Sequence, residues 1–93
     1  MVTIHAFYRA DDRKIIHKFY EEAAAAGIIE ASRNDAGNLR YDYYFSAERE
    51  NEILLLETWE SKEHQQAHYA MPQMEKLAKL KEKYNIKTEI EEL

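Results

Sequence analysis

Cysteine is absent from this chain of 93 residues. Its absence excludes a disulfide framework, a thiolate nucleophile and a thiolate metal site, and it fits a cytosolic protein. An excess of basic charge is absent too. Thirteen Lys and Arg against eighteen Asp and Glu leave a net charge of -5, where a nucleic-acid binder would carry a basic face. An acidic chain can still hold a local basic pocket for an anionic substrate. Apolar runs are short of the roughly 20 residues that span a membrane, and no N-terminal apolar segment ends in a small-residue cleavage site. Nothing reads as a nucleotide loop, a metal box or a hydrolytic triad, and no internal repeat stands out. The expectation is a soluble cytoplasmic protein with neither nucleic acid nor membrane as partner.

What is present is a single domain, residues 1–93. A core of this size is modest, so oligomerisation would bury apolar faces that one copy leaves uncovered. Seven tyrosines are the compositional oddity. They are amphipathic and suit pockets and interfaces, although they can equally fill a small core and its rim.

Hydrophobic periodicity sets the element order. Residues 2–9 alternate, with Val2, Ile4, Ala6 and Tyr8 on one face and Thr3, His5, Phe7 and Arg9 on the other. Asp11-Asp12 suits a helix start, and Ile15, Ile16, Phe19, Tyr20, Ala23 and then Ala24 or Ala26 recur at helical spacing over 12–26, with Gly27 as the stop. The run from Ile28 to Arg33 can extend that helix irregularly. Asn34-Asp35-Ala36-Gly37-Asn38 is the strongest turn signal. Leu39, Tyr41, Tyr43 and Phe45 then alternate in a second strand. Ile53 to Glu60 reads as a third strand, apolar at its start on both faces. Ser61 caps a short helix to about Tyr69, and Pro72 opens another that carries Met74, Leu77, Ala78, Lys81 and Tyr84 on one stripe. The charges from Lys76 to Lys83 read as a solvated face. Asn85 is a candidate C-cap, and Ile86, Thr88 and Ile90 alternate in a last strand whose acidic end keeps an edge soluble. The order β-α-β-β-α(α)-β predicts an α+β, ferredoxin-like fold with a four-stranded antiparallel sheet and helices on one face. Apolar residues on the other face predict a homodimer, sheet against sheet.

Chemistry concentrates between Leu54 and Met74. Glu57 ends an apolar strand, Trp59 shares its face by the period of two, and the helix after Ser61 carries His68 back over the sheet. One carboxylate, one indole and one imidazole in an apolar setting make a plausible small-molecule site. Glu57-Thr58-Trp59-Glu60-Ser61, Ala67-His68 and Met71-Pro72-Gln73-Met74 resemble the E-x-W, His and Pro signature of antibiotic biosynthesis monooxygenase domains, and Gly37 to Tyr41 resembles the G-x-x-x-Y opening of a strand in that family. The resemblance covers nearly the whole chain and implies a dimeric α/β barrel. Family members include cofactor-independent oxygenases of quinols or polyphenols, haem-degrading enzymes and enzymes of small sugar-like signals. This chain departs from the haem-degrading pattern, since His68 stands where those proteins carry a second helix Trp and Glu75 to Lys81 contains no His.

The resemblance implies a cofactor-free oxygenase with molecular oxygen as co-substrate, acting on a small aromatic hydroquinone-like compound. Two alternatives stay open: an isomerase or degrading enzyme for a hydroxy-ketone or sugar-like metabolite, and a stress-related dimer that binds a small ligand without turning it over. His68 is the candidate base and Glu57 its tuning partner, against structural hydrogen bonding as the plain alternative. Trp59, Asn38, Tyr41, Tyr69 and His5 are candidate substrate-binding residues. Trp59 can equally be the largest core residue, Asn38 can bond its own backbone, and His5 can line the pocket or the dimer interface. His64 and His68 have the spacing of a metal pair, but a third ligand is not evident, so no metal is expected. His17 reads as a solvated helix position.

Overall fold

The computed structural model describes residues 1–93. Four strands, β1 (Val2–Arg9), β2 (Asn38–Phe45), β3 (Glu52–Trp59) and β4 (Lys87–Glu92), and four helices, α1 (Arg13–Ala25), α2 (Ile28–Arg33), α3 (Lys62–Tyr69) and α4 (Pro72–Lys83), follow one another in the order β1-α1-α2-β2-β3-α3-α4-β4. The sheet order is β2-β3-β1-β4, antiparallel throughout. This is the ferredoxin-like α+β fold that the periodicity predicts, with Ile28–Arg33 forming a separate short helix after Gly27 at φ 76°.

Alternation decides which side of the sheet meets the helices. Ile4, Ala6 and Tyr8 of β1 and Ile53, Leu55, Glu57 and Trp59 of β3 are buried beneath them. Ala6, Tyr8, Ile53, Leu55 and Trp59 form one core cluster with Ile16, Phe19 and Ala23 of α1, Ile28 and Ile29 of α2 and Leu77 of α4. The opposite face carries Phe7, Leu54, Leu56 and Tyr44, which have no helix over them and keep partial solvent exposure.

The local signals that stop and start helices hold. Asp12 caps α1 by accepting from the Ile15 N–H, and Ser61 caps α3 by accepting from the His64 N–H. Pro72 opens α4. Tyr84 is its C-cap, and Asn85 stands one residue beyond at φ 52°. The Ile86 N–H bonds the Lys81 carbonyl and the Asn85 N–H bonds the Glu82 carbonyl, a Schellman ending that fixes the last turn around Lys81.

Some faces differ from the pattern. An irregularity between Asn38 and Arg40 shifts the register of β2 against β3, and Leu39 turns out to solvent while Tyr41 and Tyr43 stay in. Ala24, Ala26 and Ala78 are exposed, because the helices they sit on meet the sheet along narrower stripes. His17 is not simply solvated: its ring stacks on Phe45, centroids 4.2 Å apart.

Candidate active site

Glu57 and Trp59 are two residues apart on β3 and therefore point to the same, helix-covered side. The Trp59 indole N–H donates to Glu57 Oε1 at 3.0 Å. That bond satisfies one carboxylate oxygen in an apolar setting. Burial still pushes the Glu57 carboxyl above its ordinary range, opposed by the indole bond and by the nearby His68 and Lys81.

His68 comes down onto this pair from α3. Its ring lies tilted on Trp59, centroids 4.6 Å apart, and meets Tyr41 edge-on at 5.5 Å. Its Nδ1 is 2.7 Å from Asp35 Oδ2, with the His68 side chain at 0 % and that of Asp35 at 8 % exposure. An ionised carboxylate only accepts, so Nδ1 carries a proton, and in the neutral imidazole Nε2 keeps its lone pair. Nε2 is buried and has no hydrogen-bond partner. Gln73 of α4 also donates to Asp35 Oδ2, at 2.8 Å, which holds the carboxylate in place.

Asp35, which in the sequence reads only as part of a turn, is the partner that the structure gives His68. Its placement depends on Gly37. A Cβ at Gly37 would lie 2.3 Å from His64 Cγ, and the backbone there has φ 80°. Only glycine lets the loop lie this close to α3 in that conformation. His64, pinned by Ser61, and His68 stand one turn apart on the helix, so the approach at His64 delivers Asp35 to His68. The two histidines therefore have separate partners, and no group of three or more His, Asp or Glu is arranged to hold a metal ion.

Tyrosines line the rest of the interior. Tyr41 and Tyr43 have buried hydroxyl oxygens without a hydrogen-bond partner. Burial raises their pKa values and that of Tyr8, and the Glu57 charge adds to the rise in all three. Tyr69 lies at the rim, with its hydroxyl accepting from Gln65 Nε2 at 3.0 Å and its ring 5.6 Å from His68. Lys81, on the same stripe of α4 as Met74 and Leu77 although it lies within the charged run from Lys76 to Lys83, is half-buried, with its Nζ 4.4 Å from the centre of the Tyr8 ring.

The structure thus brings Glu57, Trp59, Tyr41, His68 and Tyr69 together. It does not bring His5 or Asn38 to them. His5 points to the opposite side of the sheet, where its Nδ1 pairs with Glu91 at 3.0 Å, because it alternates with Ile4 and Ala6. Asn38 turns its amide onto the Arg40 carbonyl at 3.1 Å, within its own strand.

The family profile described as antibiotic biosynthesis monooxygenase matches residues 1–80, and the chain belongs to that family. Solved structures share the fold. A Bacteroides thetaiotaomicron protein of unknown function, described as a possible oxidoreductase, superposes with a TM-score of 0.85 at 20% identity, covering 99% of this chain and 94% of its own. A Deinococcus radiodurans protein named as a candidate antibiotic biosynthesis monooxygenase gives 0.84 at 20% identity, covering 100% and 90%. SnoaB, a cofactor-independent oxygenase from Streptomyces nogalater, gives 0.74 at 13% identity, covering 99% and 89%. At these identities the likeness is one of fold. No curated protein sequence matches the chain significantly. No helix is long and apolar enough to cross a membrane.

Proposed function

We propose that the protein is a cofactor-independent monooxygenase of a small hydroquinone-like aromatic. The observation that carries this reading is the buried, unpartnered Nε2 of His68, its tautomer set by Asp35, beside the flat face of Trp59. A phenolic hydroxyl placed at Nε2 loses its proton to the imidazole, and the Asp35 carboxylate stabilises the imidazolium that forms. The resulting phenolate is electron-rich enough to reduce oxygen. One hydroquinone and one O2 then give one hydroxyquinone and one water. Trp59 and Tyr41 hold the ring, and Glu57 orients the indole through the 3.0 Å bond.

The homodimer belongs to the same proposal. Phe7, Leu54, Leu56 and Tyr44 form an apolar strip on the helix-free face, and a second copy around a two-fold axis covers it.

Oxygen uptake with a panel of hydroquinones under labelled O2 tests the chemistry. The expected result is one labelled oxygen in the product, with uptake abolished in a folded His68→Ala variant. Conversion of a substrate without oxygen consumption would instead make the protein an isomerase. Undiminished uptake in His68→Ala would remove the proposed base.

A further inference from the structure

One cation on the inner wall has no role in the chemistry above. Gln73, Leu77 and Lys81 recur every four residues on α4, so one stripe of that helix faces the sheet along its length. Gln73 reaches Asp35 at the His68 end, and Leu77 is core. Lys81, about 12 Å further along the helix axis, lies over the Tyr8 ring.

Tyr8 is only 3 % exposed, so its ring is an interior surface. The Lys81 side chain is long enough to carry its ammonium out to water. It instead lays its Nζ over the Tyr8 ring and stays half-buried, whereas Lys79 approaches Glu75 and Lys83 pairs with Glu22. No carboxylate lies within ion-pair distance of Lys81, and burial pulls its pKa below the ordinary lysine range. A chain of rings links the two ends: Tyr41 lies 5.5 Å from His68, Tyr43 6.2 Å from Tyr41 and Tyr8 6.3 Å from Tyr43, centre to centre. The helix-covered face of the sheet therefore carries an unpartnered His68 Nε2 at one end and Lys81, without a carboxylate partner, at the other, with the unpartnered hydroxyls of Tyr41 and Tyr43 in the same cluster.

We propose that Lys81 is the anion-binding residue of this site, and that the substrate is a hydroxylated aromatic acid. Its carboxylate meets Lys81 while its ring hydroxyl meets His68 Nε2. This rests on the reading of the interior as a site for a hydroxylated ring, and it narrows the substrate class. The ammonium has only a ring face as partner, and a ligand carboxylate would add a charge-assisted hydrogen bond to it. A neutral hydroquinone would fill the aromatic part of the site and leave the cation as it is.

The test uses 2,5-dihydroxybenzoate and its neutral methyl ester as probes, titrated without oxygen and followed by the fluorescence of Trp59, the single tryptophan of the chain. Wild type is expected to bind the acid at least about tenfold more tightly than the ester. Lys81→Met keeps the alkyl packing on Tyr8 and is expected to erase that preference while leaving the ester affinity unchanged. Lys81→Arg is expected to restore most of it. An equal affinity of wild type for the two probes, failure to bind either, or an acid preference that persists in Lys81→Met overturns the proposal. Oxygen uptake is scored separately. Acid binding through Lys81 without any uptake sinks the oxygenase reading and leaves the anion site standing. Hydroquinone oxidation without an acid preference sinks the anion site alone.

Discussion

Replacing Asp35 by Asn changes one charge and little volume. The Asn carbonyl oxygen can still accept from His68 Nδ1–H and from Gln73, which share one carboxylate oxygen in the wild type at 2.7 and 2.8 Å. The ground state then loses only the charge assistance, about 1–2 kcal/mol. The larger effect comes when His68 takes a proton. An imidazolium about 4 Å from a carboxylate charge gains about 4 kcal/mol at the effective dielectric suited to such sites. Asp35→Asn forfeits most of that, so kcat/KM for hydroquinone oxidation should fall about 100- to 1,000-fold. Asp35→Ala adds a stability cost. It leaves His68 Nδ1–H and Gln73 Nε2–H as buried donors without partners, roughly 1–3 kcal/mol each. Urea unfolding should therefore separate the variants, with Asn mildly and Ala strongly destabilised. Steady-state oxygen uptake reads the catalytic effect. Full activity in Asp35→Asn would refute the reasoning, because His68 would then not depend on the carboxylate.

Glu57 gives a prediction with a definite sign. A carboxyl whose pKa is raised on folding favours the fold while protonated. That benefit is complete below the ordinary carboxylate value and is lost as pH rises through the raised one. Glu57→Gln, which can still accept from the Trp59 indole, should therefore be more stable than wild type to urea at neutral pH, with the gap closing below about pH 4.3. A variant less stable at neutral pH would show that the charged form is the one the fold prefers. Gly37→Ala should cost about 1–3 kcal/mol of stability, from a positive φ and from the clash with His64, and should lower activity with it by moving Asp35; calorimetric melting measures the first effect and oxygen uptake the second. Leu56→Glu puts a charge on the helix-free sheet face without touching the interior, and light scattering should find monomers where wild type gives dimers. Dimers that persist would place the interface elsewhere.

Much of this architecture is written in short-range pattern. The period of two on β1 and β3 sorts Ile4, Ala6 and Tyr8 from Thr3, His5 and Phe7, and it puts Glu57 and Trp59 side by side. Caps at Asp12 and Ser61 and the proline at 72 mark helix starts through local hydrogen bonding and fixed φ. What pattern does not encode is contact between distant segments. Asp35 looks like turn chemistry because its partner is 33 residues away, and the meeting depends on the missing Cβ of Gly37. Lys81 hides among neighbouring charges, and its direction follows only from how α4 is seated by Gln73 and Leu77. His5 remains ambiguous in sequence because either face of β1 could line a cavity, until β4 supplies Glu91. Leu39 fails to follow its strand because the β2 irregularity shifts the register there, and a single extra residue leaves no mark on composition.

The site as described stands on one proton. In 15N-labelled protein at neutral pH, long-range histidine correlations should show His68 with its proton on Nδ1, hydrogen-bonded and slow to exchange, and with Nε2 unprotonated. Asp35→Asn should weaken that signature. A proton found on Nε2 would contradict the account, because the imidazole would then present a donor where the proposed chemistry needs a base.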